Sequence, residues 1–285
     1  MPLLDESTLA RLHRLRMAKG RVQRASARGE RLSKQLGAGQ EFAAHRPYTH
    51  GDDLRRVDWN VYGRLGQMFI KLFESPGQLK VLIALDDSAT MDFGEPSKWL
   101  AARRLAAAAG VVAIAGSERV SIMTLREPRL ETFDGQGESR LLSQLEGLAV
   151  SLKPASQAGL KHLRKHGKDS ILLVISDFQE RQPCLHLLSE ARRQGVKAVA
   201  VSVACEDELN PTLEGLTKLQ PVNGEGLKIR IDENVLASYR EEVKHYRRAI
   251  QSNVLGTGAS FIDIRADQPL EPFMGELVKA QFLGR

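Results

Sequence analysis

Cysteine is scarce in this chain. Cys184 and Cys205 are the only two, and they lack the paired spacing of a metal ribbon. That rules out a disulfide-stapled scaffold and leaves buried, reduced thiols as the expected state. Aromatic residues are also few, and none falls between Met1 and Gly39. The stacking platform of a single-strand binder is therefore missing from that segment. No apolar run approaches the ~20 residues that span a bilayer. The longest, residues 105–116, is alanine-rich. The N-terminus alternates apolar residues with Arg and Lys and lacks the continuous apolar stretch of a signal peptide. Three catalytic signatures are missing as well: a Gly-Lys-Ser/Thr phosphate loop, a Gly-x-Ser-x-Gly elbow and a His-Glu-x-x-His helix. The expectation is a cytoplasmic protein without a membrane span that binds no nucleotide through a phosphate loop.

What is present is an ordinary globular composition, 42% hydrophobic and 27% charged over 285 residues, enough to bury a full core without staples. The net charge of +6 is unevenly spread. Arg11, Arg14, Arg16, Lys19, Arg21, Arg24, Arg28, Arg31 and Lys34 crowd the first segment against Asp5, Glu6 and Glu30. Such a run is a solvated helical face or an interaction arm. Leu9, Leu12, Leu15 and Met17 form an imperfect apolar stripe, so residues 5–36 read as helix, ended by Gly37 to Gly39. Residues 68–73 alternate like an edge strand.

From residue 80 a regular α/β rhythm begins. Residues 80–85 suit a buried strand and 98–115 a long helix. Strands at 119–125 and, at the edge, 128–133 follow, then helices at 138–148 and 157–166. A nearly all-apolar strand spans 170–175, with a helix at 183–194 and a strand at 196–203. Residues 227–231 read as a strand, with Asp232 capping a helix that runs to about Ser252. A short strand at 261–264 and a helix at 270–282 close the chain. Apolar strands alternating with helices predict an α/β fold with a doubly wound, mostly parallel sheet. The expected organisation is a basic helical segment at 1–39, a motif-rich, β-containing extension at 40–78 and the α/β domain at 79–285.

Ligands of such sheets sit beyond the carboxyl ends of strands, where the strand order reverses. Asp86, Asp87, Ser88, Ala89 and Thr90 follow the 80–85 strand, and Ser176 and Asp177 follow the 170–175 strand. In an extended loop alternate side chains point the same way, so Asp86, Ser88 and Thr90 can converge on one point. These are hard oxygen donors, suited to Mg²⁺, with Mn²⁺ or Ca²⁺ as alternatives. Neutral hydroxyls would leave such a cation able to accept a carboxylate from another protein. Asp87 lies outside the alternation and is expected to be a solvated loop acid.

The string Asp86-x-Ser88-x-Thr90 resembles the metal-ion-dependent adhesion site of von Willebrand factor A domains. The resemblance implies that Ser156 stands where that family's second-loop Thr belongs and that Asp177 is the third-loop acid. Here the second loop reads Pro154-Ala155-Ser156-Gln157, a departure from the family's Gly-Gly-Thr-Asp.

A denser string precedes the sheet: Phe42, Arg46, Tyr48, Gly51, Asp52, Arg55, Val57, Asp58, Trp59 and Arg64. It resembles the signature of a bacterial family catalogued as domain of unknown function number 58. Val57 stands for that family's Ile, and Gly63 for its usual Ala. The resemblance implies a von Willebrand-like sheet, a MoxR-type AAA+ ATPase as partner and an unnamed client protein. Arg46, Asp52, Arg55, Arg56, Asp58 and Trp59 are candidate partner-binding residues. The same mixture of acids and bases also suits a local salt-bridge network, with Tyr48 and Trp59 burying their rings.

The expected function is thus a non-enzymatic, metal-dependent protein-binding module, an adaptor of a MoxR-type ATPase. Two alternatives stand beside it. One is a phosphoryl-transfer or hydrolytic enzyme using Asp86, although Ser88 holds the place where a dehalogenase-type phosphotransferase has its second Asp. The other is nucleic-acid binding through the basic segment. The i,i+4 pair His162 and His166 could bind a metal but reads more simply as an exposed face.

Overall fold

Each strand of the core alternates its residues between two apolar layers, and the rest of the architecture follows from this. The computed structural model describes residues 3–17, 41–47, 57–74, 79–126, 130–133, 137–166, 170–213, 215–219 and 227–284. The chain divides into two compact units. One comprises Met1–Arg21 and Leu79–Arg285, and the other Val22–Gln78.

The larger unit holds a six-stranded sheet. Its strands are β1 (Lys80–Leu85), β2 (Arg119–Thr124), β3 (Leu130–Phe133), β4 (Ser170–Ser176), β5 (Lys197–Ala204) and β6 (Ser260–Arg265), in the order β6-β5-β4-β1-β2-β3. All neighbours are parallel except β3, which pairs antiparallel with β2 at the edge. Along β1, Val81, Ile83 and Leu85 enter one apolar cluster, while Leu82 and Ala84 enter the other. Period-two alternation thus feeds two layers of helices. The expected doubly wound α/β sheet is what forms.

Helix α1 (Glu6–Leu12) and helices α2 (Lys98–Ala115), α3 (Glu138–Glu146) and α8 (Leu270–Lys279) cover the first face. Helices α4 (Ala158–His166), α5 (Arg181–Arg193) and α7 (Glu233–Gly256) cover the second. Helix α2 is buried along almost its whole length, and its run of alanines lets neighbours approach closely. A Cβ at Gly110 would lie 2.6 Å from Leu141 Cδ2. Asp232 caps α7, its carboxylate accepting from Val235 N at 2.9 Å.

One expectation about the elements is corrected. The helix expected over residues 5–36 ends at Leu12. Arg16–Met17 then pairs antiparallel with Leu283–Gly284 near the other end of the chain. Leu3, Leu4 and Leu12 enter the core, and Arg11 pairs with Glu271 at 2.6 Å. The contacts that stop the helix come from distant residues, which a local apolar stripe cannot show. The strand expected at Leu227–Ile231 forms and pairs antiparallel with Gly215–Leu219, outside the six-stranded sheet. Among the described residues no helix is long and apolar enough to cross a membrane.

In the smaller unit, Glu41–Pro47 pairs antiparallel with Phe69–Glu74, with a register shift between Phe42 and Ala44. A helix, Trp59–Leu65, lies between them in sequence.

Candidate functional site at the carboxyl edge of the sheet

The strand order reverses between β1 and β4: from β1 the chain proceeds through β2 to β3 at one edge, and from β4 through β5 to β6 at the other. Leu85 is level with Thr124 on one side and Ile175 on the other. The loops after β1, β2 and β4 therefore start side by side, at the crevice where ligands of open α/β sheets bind.

Asp86 is 3% exposed. Its Oδ1 accepts from Ser88 N at 3.0 Å, and its Oδ2 accepts from the Ser176 hydroxyl at 2.6 Å. Burial pushes its carboxyl above the usual range, against the Ser176 hydrogen bond, and the nearby Asp177 adds to the rise. The Ser88 and Thr90 hydroxyls meet at 3.0 Å. Asp86, Ser88 and Thr90 are thus brought together, though not by an extended loop. After Ser88 the chain turns into one 3₁₀ turn, Ala89–Asp92.

Asp87 is 1% exposed, so it is not the solvated acid expected. Its carboxylate accepts from Arg126 N at 2.8 Å, and its carbonyl accepts from Ser151 N at 2.6 Å. The carboxylate ties this loop to the one after β2, and the backbone carbonyl ties it to Ser151; a carboxylate this deep needs such a hydrogen bond.

Ser156 is held at the same edge through its backbone, its N–H donating to Leu125 O at 2.7 Å. Its hydroxyl accepts from Ala158 N at 3.1 Å, at the start of α4. Asp177 has Oδ1 on Gln179 N at 3.0 Å and Oδ2 on the Lys98 ammonium at 2.8 Å. Lys98 is 1% exposed and also bonds Glu208 of the short helix α6 (Glu206–Leu209).

Two of the five residues expected to hold a divalent cation, Ser156 and Asp177, already carry internal hydrogen bonds. Asp86 accepts from the Ser88 N–H, and the Ser88 hydroxyl meets that of Thr90. The Asp177 carboxylate is already held by an internal cation, and the Ser156 hydroxyl serves a helix start. Among the described residues, no group of three or more His, Cys, Asp or Glu is placed to hold a metal.

Sequence reasoning missed two buried bases. Lys98 carried a faint signal: a lysine in the first turn of a helix opposes the macrodipole and needs a reason to be there. Burial pulls its pKa down, but Asp177 and Glu208 together raise it above its ordinary value. Arg126, 7% exposed, donates to Lys153 O at 2.7 Å and pairs with Glu180 at 2.8 Å. It thereby ties the second loop to the third, and nothing local announced it. Over this bonded floor, Phe93 and Leu152 are exposed at 48% and 79%. Leu152 follows Ser151, which bridges to Ser88.

Of the candidate partner-binding residues, Arg46 lies in the strand Glu41–Pro47 opposite Ile70. Asp52, Arg55 and Arg56 lie outside the described residues. Asp58 caps the following helix, accepting from Asn60 N at 3.0 Å and Val61 N at 3.3 Å. Trp59 is exposed rather than buried, and its ring meets Tyr62 edge-on.

Residues 44–249, well over half the chain, match the family described as protein of unknown function DUF58. The chain belongs to that family. It is similar to an uncharacterized protein of Mycobacterium bovis and another of Mycobacterium tuberculosis. Each is 23% identical over 253 residues, covering 84% of this chain and 79% of the relative. Among solved structures it is similar to the conserved hypothetical protein BatB of Bacteroides thetaiotaomicron, with 16% identity and a TM-score of 0.45, covering 71% of this chain and 98% of BatB. It is also similar to the SpRpn10 VWA domain, with 11% identity and a TM-score of 0.39, covering 70% and 95% respectively.

Proposed function

We propose that this DUF58 protein is a non-enzymatic protein-binding module whose carboxyl-edge loops dock a partner, and that the partner is a MoxR-type AAA+ ATPase working on a client protein. The observation that carries the docking face is the exposure of Phe93 and Leu152 on loops fixed from below. Large apolar residues over a rigid, internally bonded base are the usual anchors of an interface. The partner's class rests on the resemblance of the Phe42–Arg64 string.

A binding role is favoured over catalysis because the Asp86 oxygens accept from Ser88 N and Ser176 Oγ. The neighbouring buried acid, Asp177, is neutralised by Lys98. A phosphotransferase that uses Asp86 as nucleophile would also need a second acid two residues on to move the proton, and Ser88 stands there.

The test is surface plasmon resonance against a purified MoxR-type ATPase, using Phe93→Asp and Leu152→Asp. Each change should weaken binding by about tenfold or more without altering the melting temperature. Unchanged binding in both would exclude this edge and make the Trp59–Leu65 helix the next face to test.

A further inference from the structure

Lys98 is among the largest fully buried side chains of the described chain. A buried ammonium persists only where acids and hydrogen bonds compensate for its lost water. Here the compensation comes from two other segments: Asp177, just past β4, at 2.8 Å, and Glu208, just past β5. Each acid is itself held in place. Asp177 accepts from Gln179 N. Glu208 accepts from Cys205 N at 3.2 Å, and its carbonyl accepts from the Tyr239 hydroxyl at 2.9 Å. One ammonium therefore joins the start of α2 to the ends of two adjacent strands.

We infer that Lys98 is the resident cation of this edge. Its ammonium holds the position beside Asp177 that a divalent ion would need, so the docking loops are assembled without a metal. A second cation recruited by Asp86 and Asp177 together would lie within a few ångströms of the ammonium, where like charges repel strongly in a water-poor site. Removing the ammonium leaves the Asp177 and Glu208 carboxylates facing one another without a counter-charge, and it is in that state that a divalent ion can take the ammonium's place between them.

The experiment uses Mn²⁺ as probe on the full chain, followed by electron paramagnetic resonance and by thermal melting with and without EDTA. The wild-type protein is expected to show no saturable Mn²⁺ binding below about millimolar, a range in which even weak calcium modules bind their ion. Its melting temperature should not move with EDTA. Lys98→Met keeps the length of the stem and should melt ~10 °C lower, since a large domain loses ~2–4 °C per kcal/mol. Mn²⁺ should recover part of that loss. Saturable submillimolar binding by the wild type that disappears in Asp177→Asn overturns the inference. So does a Lys98→Met variant as stable as the wild type. Should Lys98→Met not fold, the wild-type and Asp177→Asn titrations decide alone. No partner takes part in these measurements, so their failure leaves the docking proposal standing.

Discussion

Asp86 and Asp177 lie past the ends of neighbouring strands, at the same depth, and the fold deals with their charges in opposite ways. Asp177 is given a full counter-charge, the Lys98 ammonium at 2.8 Å. Asp86 is given only neutral donors, the Ser88 N–H and the Ser176 hydroxyl. Hydrogen bonds to a charged form favour it, and burial disfavours it. At Asp86 burial prevails, and the carboxyl is pushed up. The contrast teaches that residue type and depth do not set the electrostatics of a strand end. The identity of the residue reaching in from another element does. Asp177 is a joint between loops, and Asp86 is a buried carboxyl held by neutral donors.

The largest effect should come from breaking the joint. Lys98→Met leaves Asp177 buried with no counter-charge, and removing one partner of a buried pair costs about 3–5 kcal/mol. Urea unfolding should show that loss, and a double-mutant cycle with Asp177→Asn should recover much of it, because the orphaned charge is then gone. A strictly additive cycle would mean that the two side chains are not coupled as described.

Replacing the Asp86 carboxyl should have the opposite sign and a smaller size. Asp86→Asn should raise stability at neutral pH by about 1 kcal/mol or leave it unchanged, within the ordinary range of single substitutions. The folded carboxyl titrates above its unfolded value of 3.8. Its favourable contribution is therefore complete below the unfolded pKa and is lost as pH rises through the folded one. The gap between variant and wild type should be widest near neutrality and close as pH falls toward 4. A gap that widens on acidification would mean that the fold favours the charged form of Asp86.

The smallest effect concerns the two buried thiols. Burial raises Cys184 well above the ordinary thiol value, and Cys205, also mainly through burial, rises to about 11. Both should stay unmodified by iodoacetamide in the native protein at pH 7, because the thiolate is the reactive form. Mass spectrometry would check this. Rapid labelling of Cys205 in Lys98→Met, but not in the wild type, would show that the α6 end of the joint had opened.

Much of the architecture could be read from local pattern. The apolar runs at Lys80–Leu85 and Ser170–Ser176 became central parallel strands, and Lys98–Ala115 formed the long helix expected of it. The Asp86-Ser88-Thr90 cluster was readable because its members are near neighbours, so backbone geometry alone brings them together. Asp177 was correctly placed at the next strand end, but its partner was not foreseen. Lys98 lies far from it in sequence, and periodicity says nothing about which loop meets which helix start. Asp87 was misplaced for the same reason, since its burial depends on Arg126 and Ser151 arriving from elsewhere.

The sequence by itself determined the elements, their alternation and the positions of acids past particular strands, because hydrophobic period and strand ends are local properties. The tertiary structure alone decided the charge state of the edge. Packing brought a lysine from α2 to Asp177 and none to Asp86, and at close range in a water-poor site a single ammonium outweighs any local preference.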